Sequence, residues 1–259
     1  MTPATAPLRV FITGASSGLG AALAAHYAAR GAVLGLASRR AEKLAEVAAV
    51  LSPAPAIYAV DVGDPAAIAA AAADFCSRHG TPDIVIANAG ISAGTRCGNP
   101  QDIAVLERVL RTNVLGLAAT LAAFARPMRE RGSGTLAGIA SVAGFRGLPG
   151  NGAYSASKAA AINWLEALRV ELHGSGVRVV TVCPGYIETP LTAVNRFPMP
   201  FLLSAGDAAR RVARAIESGR SLAVLPWQMR LTFILLRRAP NWLFDRMFAR
   251  APRKARTSP

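Results

Sequence analysis

Six short apolar runs, Leu8–Ile12, Val33–Ala37, Ile57–Val60, Ile84–Ala87, Leu136–Ala140 and Val177–Cys183, recur along the chain and are separated by alanine-rich stretches of helical length. Runs that are apolar at nearly every position belong to strands buried on both faces, and their alternation with helices predicts a parallel sheet covered on both sides. The alanines between Ala66 and Ala73 read as helix, because alanine has the highest intrinsic helix propensity. Another helix runs to Arg30 and stops at Gly31, while Ser204–Asp207 reads as the cap of a helix over Ala208–Ser218 that Gly219 ends. The predicted fold class is a three-layer, doubly wound α/β sheet.

At 259 residues the chain has the size of one such unit. The pattern places a catalytic α/β domain at residues 1–219 and a helical extension at residues 220–259. Charge sets the extension apart, with nine basic residues against Asp245 alone, within a chain of net charge +14. Leu231–Leu236 is an apolar run bounded by Arg230 and Arg237-Arg238, far shorter than the about 20 residues of a membrane-spanning helix. After Pro240, helical spacing gathers Trp242, Leu243, Phe244, Met247 and Phe248 on one face. Two readings fit this basic amphipathic segment. It lies in the interface of an anionic membrane, or it packs over the substrate cleft or a partner subunit and leaves Arg253–Arg256 as a frayed end. Nucleic acid is not an expected partner, because the charge sits on an apolar appendage without an aromatic platform.

Cys76, Cys97 and Cys183 form an odd set without metal spacing, and His26, His79 and His173 are scattered, so no metal site is expected. The N-terminus lacks a basic-then-apolar signal pattern, from which a cytoplasmic protein is expected, peripheral on a membrane if the extension binds one.

Candidate chemistry begins where the first run meets Thr13-Gly14-Ala15-Ser16-Ser17-Gly18-Leu19-Gly20. Glycines at a strand-to-helix turn allow close backbone approach, and the amides that open the helix favour a pyrophosphate. Gly14, Ser16, Ser17, Gly18, Leu19 and Gly20 are therefore candidate dinucleotide contacts. At the end of the second run, Ser38-Arg39-Arg40 offers no acid for a ribose 2′-hydroxyl, and two guanidiniums suit a 2′-phosphate instead, so NADP(H) is expected over NAD(H). The alternative is a solvated basic pair. Further on, Tyr154 and Lys158 stand four apart on a predicted helix, so the ammonium can approach the phenol and stabilise its ionised form. Ser141 can hold a substrate oxygen.

Together these motifs resemble the short-chain dehydrogenase/reductase family, with its Thr-Gly-x-x-x-Gly-x-Gly turn and Tyr-x-x-x-Lys pair. The match extends over residues 8 to about 190 in the family's order and spacing. Asn88-Ala89-Gly90 resembles the family's motif beside the cofactor, and Asn113 its asparagine that holds a water relaying protons to the lysine. Within Cys183–Thr189, Pro184, Gly185, Ile187 and Thr189 match the stretch that closes over the nicotinamide. Asp61-Val62 matches the adenine contact, although Asp61 can instead simply cap the turn at Gly63. The resemblance implies a Rossmann fold and a homodimer or homotetramer. It also implies reduction of a carbonyl, or oxidation of the alcohol, with Tyr154 as acid or base, Ser141 holding the oxygen, and Lys158 lowering the tyrosine pKa and gripping the nicotinamide ribose. Phe197–Leu203 occupies the place of the family's variable lid, and its apolar residues either face an apolar small-molecule substrate or pack on the core. A non-catalytic NADP(H)-binding scaffold on the same fold is the alternative reading.

Overall fold

The computed structural model describes residues 6–195 and 197–256. Its first half contains β1 (Arg9–Thr13), α1 (Gly18–Ala28), β2 (Val33–Ala37), α2 (Ala41–Ala49), β3 (Ala56–Tyr58), α3 (Pro65–His79), β4 (Ile84–Ala87), α4 (Ile103–Leu110) and α5 (Gly116–Arg131). There follow β5 (Gly134–Ile139), α6 (Gly152–Glu171), β6 (Val177–Pro184), α7 (Pro190–Ala193), α8 (Ala205–Glu217), β7 (Leu222–Leu225), α9 (Trp227–Arg238) and α10 (Asn241–Phe248). The strands form one parallel seven-stranded sheet in the order β3-β2-β1-β4-β5-β6-β7. Winding reverses between β1 and β4, which opens a crevice at the carboxyl ends of the strands.

Side chains that alternate along β1 supply both inner layers. Val10 and Ile12 meet Leu23 and Tyr27 of α1, Leu44 of α2 and Val212 and Ile216 of α8. Phe11 points the other way, into α3, α5 and α6. Its ring lies 5.5 Å from Phe75, 4.8 Å from Phe124 and 5.6 Å from Tyr58, contacts that add about 0.5–1.5 kcal/mol per pair beyond burial. Asp64 starts α3 by accepting from the amides of Ala66 and Ala67, with Pro65 in the first turn, where its missing N–H is not needed.

The three-layer doubly wound sheet is thus the one the apolar runs predict, with differences at its edges. The edge strand β3 ends at Tyr58, before the expected Val60, and exposes Ile57. β5 starts at Gly134 and ends at Ile139, short of Ala140. Leu222–Leu225, four residues ending against Pro226, pairs with β6 as a seventh strand that the hydrophobic pattern does not reveal. The segment after residue 219 therefore enters the sheet before it turns helical.

Its helices pack back on the domain. The Arg146 guanidinium donates to the carbonyls of Leu236 and Ala239 and to Asn241 Oδ1, and lies 3.9 Å from the centre of the Phe244 ring. The expected single apolar face of the last helix is split. Phe244 is buried and stacks on Phe248, whereas Trp242 and Met247 face outward. Nor does Arg253–Arg256 fray. Lys254 Nζ donates to Ser92 Oγ at 3.0 Å and to the Leu191 carbonyl at 3.2 Å, and Arg256 pairs with the buried Asp102 at 2.7 Å. A parallel bridge joins Gly94 to Arg256.

Candidate active site

A cavity of about 860 Å³ fills the crevice at the carboxyl ends of the strands. One end is built by the glycine turn. Gly14 has φ +69°, and a Cβ there would stand 2.7 Å from Ala89 Cα, while a Cβ on Gly20 would stand 2.2 Å from the Gly14 carbonyl oxygen. Only glycines let the turn nest against the β4 end and start α1 beneath it. Asn88 fixes that contact by donating from Nδ2 to the carbonyl of Thr13 at 3.0 Å. No side chain caps the α1 N-terminus at Ser17, so its amides are free to hold an anion.

Arg40 lies over the turn, donating to Ser16 Oγ at 2.9 Å and Ser17 Oγ at 2.6 Å, and Ser38 donates to the same Ser16 oxygen at 2.7 Å. Arg39 lines the cavity too and pairs with Asp61 at 3.5 Å. Asp61 is the one expected cofactor contact outside the lining. Its Oδ1 accepts from the Gly63 amide at 2.8 Å, the turn-capping role. Val62, Ala89, Gly90, Pro184, Gly185, Ile187 and Thr189 all line the cavity. The last comes down on the glycine turn, since a Cβ on Gly18 would stand 2.9 Å from Thr189 Cγ2.

Ser141, Tyr154 and Lys158 meet at the middle of the cavity. Ser141, at the end of β5, accepts from the Ala143 amide at 3.2 Å. Tyr154 and Lys158 lie on the first turns of α6, with the Lys158 Nζ 5.7 Å from the Tyr154 ring centre. Burial raises the Tyr154 pKa above its ordinary value, and a hydrogen bond with Ser141 works against that rise. Burial is the dominant influence on the tyrosine in this arrangement, and the Lys158 ammonium donates to the Ile139 carbonyl at 2.8 Å. Burial also lowers Lys158 to about 8. Beneath the pair, burial pushes the Cys183 thiol up to about 12, so it stays neutral at physiological pH.

Asn113 is fully buried and stands behind the cavity wall, on a turn of π-helix between α4 and α5. Its Oδ1 accepts from the Ile91 amide at 2.8 Å, and its Nδ2 donates to the Ile91 carbonyl and to Ser157 Oγ, both at 2.9 Å. Ser157 in turn donates to the Tyr154 carbonyl at 2.7 Å. The amide thus ties the β4 end to the first turn of α6.

The other end of the cavity is apolar. Phe197, Pro198, Pro200 and Phe201 of the lid line it, as do Met229 and Leu236 of α9, Phe248 of α10, and Pro252. Met199 does not, and packs its sulfur against Asn195 Nδ2. Lys254 adds the one ammonium on this side among the described residues, its pKa lowered by burial. Sequence reasoning did not single out Ser38, Met229, Leu236 or Lys254 as cavity residues, since only the fold brings them there.

The sequence profile of the short chain dehydrogenase family matches residues 9–198. The chain belongs to this family. An uncharacterized oxidoreductase of Myxococcus xanthus is 41% identical over 239 residues, which cover 90% of this chain and 93% of the relative. Among solved structures, a short-chain dehydrogenase of Burkholderia cenocepacia in complex with NADP has a TM-score of 0.81 at 26% identity and covers 93% of this chain and 97% of its own. One of Burkholderia phymatum in complex with NAD has a TM-score of 0.80 at 26% identity, covering 97% and 98%. This short-chain dehydrogenase is therefore an oxidoreductase on a fold that takes a nicotinamide cofactor. No helix among the described residues is long and apolar enough to cross a membrane, and no cluster of metal-ligating side chains occurs among them.

Proposed function

We propose that this oxidoreductase uses NADPH to reduce the carbonyl of an apolar small molecule. The observation that carries the reading is the position of Ser141, Tyr154 and Lys158, between the glycine turn at one end of the cavity and the apolar lid and tail at the other. The cofactor residues fit a phosphorylated dinucleotide. The uncapped amides of α1 suit its pyrophosphate, and Arg40, held over Ser16 and Ser17 with no carboxylate at the end of β2, suits a 2′-phosphate.

When bound, the cofactor supplies the hydride. The protein's part is to hold and protonate the oxygen that gains charge. Ser141 Oγ and the Tyr154 hydroxyl present two donors to that oxygen. Because burial raises its pKa, Tyr154 is protonated at neutral pH and acts as the acid. Lys158, mostly charged at pH 7, grips the nicotinamide ribose and places a cation beside the phenolate that proton transfer leaves. Asn113 is a positioning residue in this scheme, locking α6 through Ser157. The protein works in the cytoplasm, as a homodimer or homotetramer of the kind common in the family.

The test is NADPH oxidation by wild type and Tyr154→Phe against medium- and long-chain ketones, 3-oxoacyl thioesters and steroid ketones. Turnover is expected to fall by about 10²–10⁴ in the variant while NADPH affinity holds, since only the general acid is lost. Tight NADPH binding with no turnover of any of these by the wild type would leave the non-catalytic scaffold as the better reading.

A further inference from the structure

α9 is apolar on two opposite faces. Inward, Met229 and Leu236 line the cavity. Outward, Trp227, Leu231, Ile234 and Leu235 recur at the spacing of one helix face and are exposed at 63%, 54%, 39% and 71%. α10 adds Trp242 and Met247, also outward. Six large apolar side chains exposed on two consecutive short helices exceed the scattered apolar residues of an ordinary surface.

Charge identifies what covers them. Arg230, Arg237, Arg238, Arg246 and Arg250 lie among the exposed apolar residues, and none has an ion-pair partner among the described residues. Asp245 is the sole acid on either helix. A second copy docked here about a two-fold axis would bring two such sets of arginines together, so the surface is not complementary to itself. An anionic bilayer answers both features. Its headgroups neutralise the arginines, and its acyl boundary takes the leucines while tryptophans sit at headgroup level. Helices of 12 and 8 residues lie in that interface and do not cross it.

We propose that the outward face of α9 and α10 docks this protein on the surface of an anionic lipid bilayer. The inner face of the same α9 walls the cavity, so docking places the apolar end of the cavity one helix away from the membrane. This surface is independent of the reaction proposed above, and its test does not depend on turnover.

The full chain is floated with vesicles of phosphatidylcholine alone and with vesicles that also contain phosphatidylglycerol, while tryptophan emission is followed. Binding to the phosphatidylglycerol vesicles, with a blue shift and weakening as salt is raised, is the expected result. Leu231→Glu/Leu235→Glu is expected to lower vesicle affinity about tenfold or more, and each rim arginine replaced by glutamine about fivefold. Both leucines are exposed and outside the cavity, so NADPH affinity in the variant stays at the wild-type value and reports an intact fold. Equal binding to both vesicles, no binding, or binding retained in the double variant overturns the proposal. So does a self-association of the wild type that the same double variant abolishes, which would assign the face to a second copy.

Discussion

Lys158 carries the clearest pH signature at the site. Its ammonium is buried and its pKa is lowered from the ordinary lysine value to about 8, so the charge is present below that pH and is lost as pH rises through it. NADPH affinity is therefore expected to be flat below pH 8 and to weaken by about tenfold above it, the effect of losing one charge-assisted hydrogen bond. Lys158→Met should abolish that pH dependence. Fluorescence titration of NADPH from pH 6 to 10 in the two proteins checks both statements. Arg40 gives a second test, because among the described residues its guanidinium meets the hydroxyls of Ser16 and Ser17 and no carboxylate. Arg40→Ala is expected to weaken NADPH binding by about ten- to a hundredfold and leave NADH nearly unchanged, and competition of the two cofactors for the variant measures it. These residues were legible in the sequence because their chemistry is local to short motifs. The direction of the Tyr154 shift was not, since it follows from burial, which no motif spacing records.

Among the elements, both tail helices share one side chain of the domain as an anchor. Arg146, between β5 and α6, closes the carbonyls that end α9, reaches Asn241 at the start of α10 and stacks on Phe244. Arg146→Ala removes all of these and is expected to lower stability by about 2–3 kcal/mol, with KM for apolar ketones rising and NADPH affinity unchanged. Urea unfolding with steady-state kinetics separates the two effects. The lid shows related strain. Phe201 has φ +56°, an uncommon region for a bulky residue, at the point where it lines the cavity. The tail's amphipathic composition was readable, but its orientation was not. A helix with apolar residues on two faces has no single stripe from which to tell inside from outside, and β7 is too short to rise above that background.

Across the whole molecule, a parallel sheet with a core layer on each face follows from the apolar runs, because strands buried on two faces must alternate with covering helices, whereas the order of the strands and the presence of β7 do not. The joining of the tail to the catalytic unit depends on pairs far apart in sequence, Lys254 with Ser92 and Arg256 with Asp102, and no local pattern encodes them. That arrangement divides labour along the chain. On the reading proposed above, residues up to 158 and the stretch 184–189 hold the cofactor and the proton donor, whereas residues 197–254 supply the apolar end of the cavity. What the protein accepts is thus adjustable by rewriting one contiguous stretch. The proposed hydride and proton transfer would stay untouched, so new specificities can arise on this scaffold without relearning the chemistry.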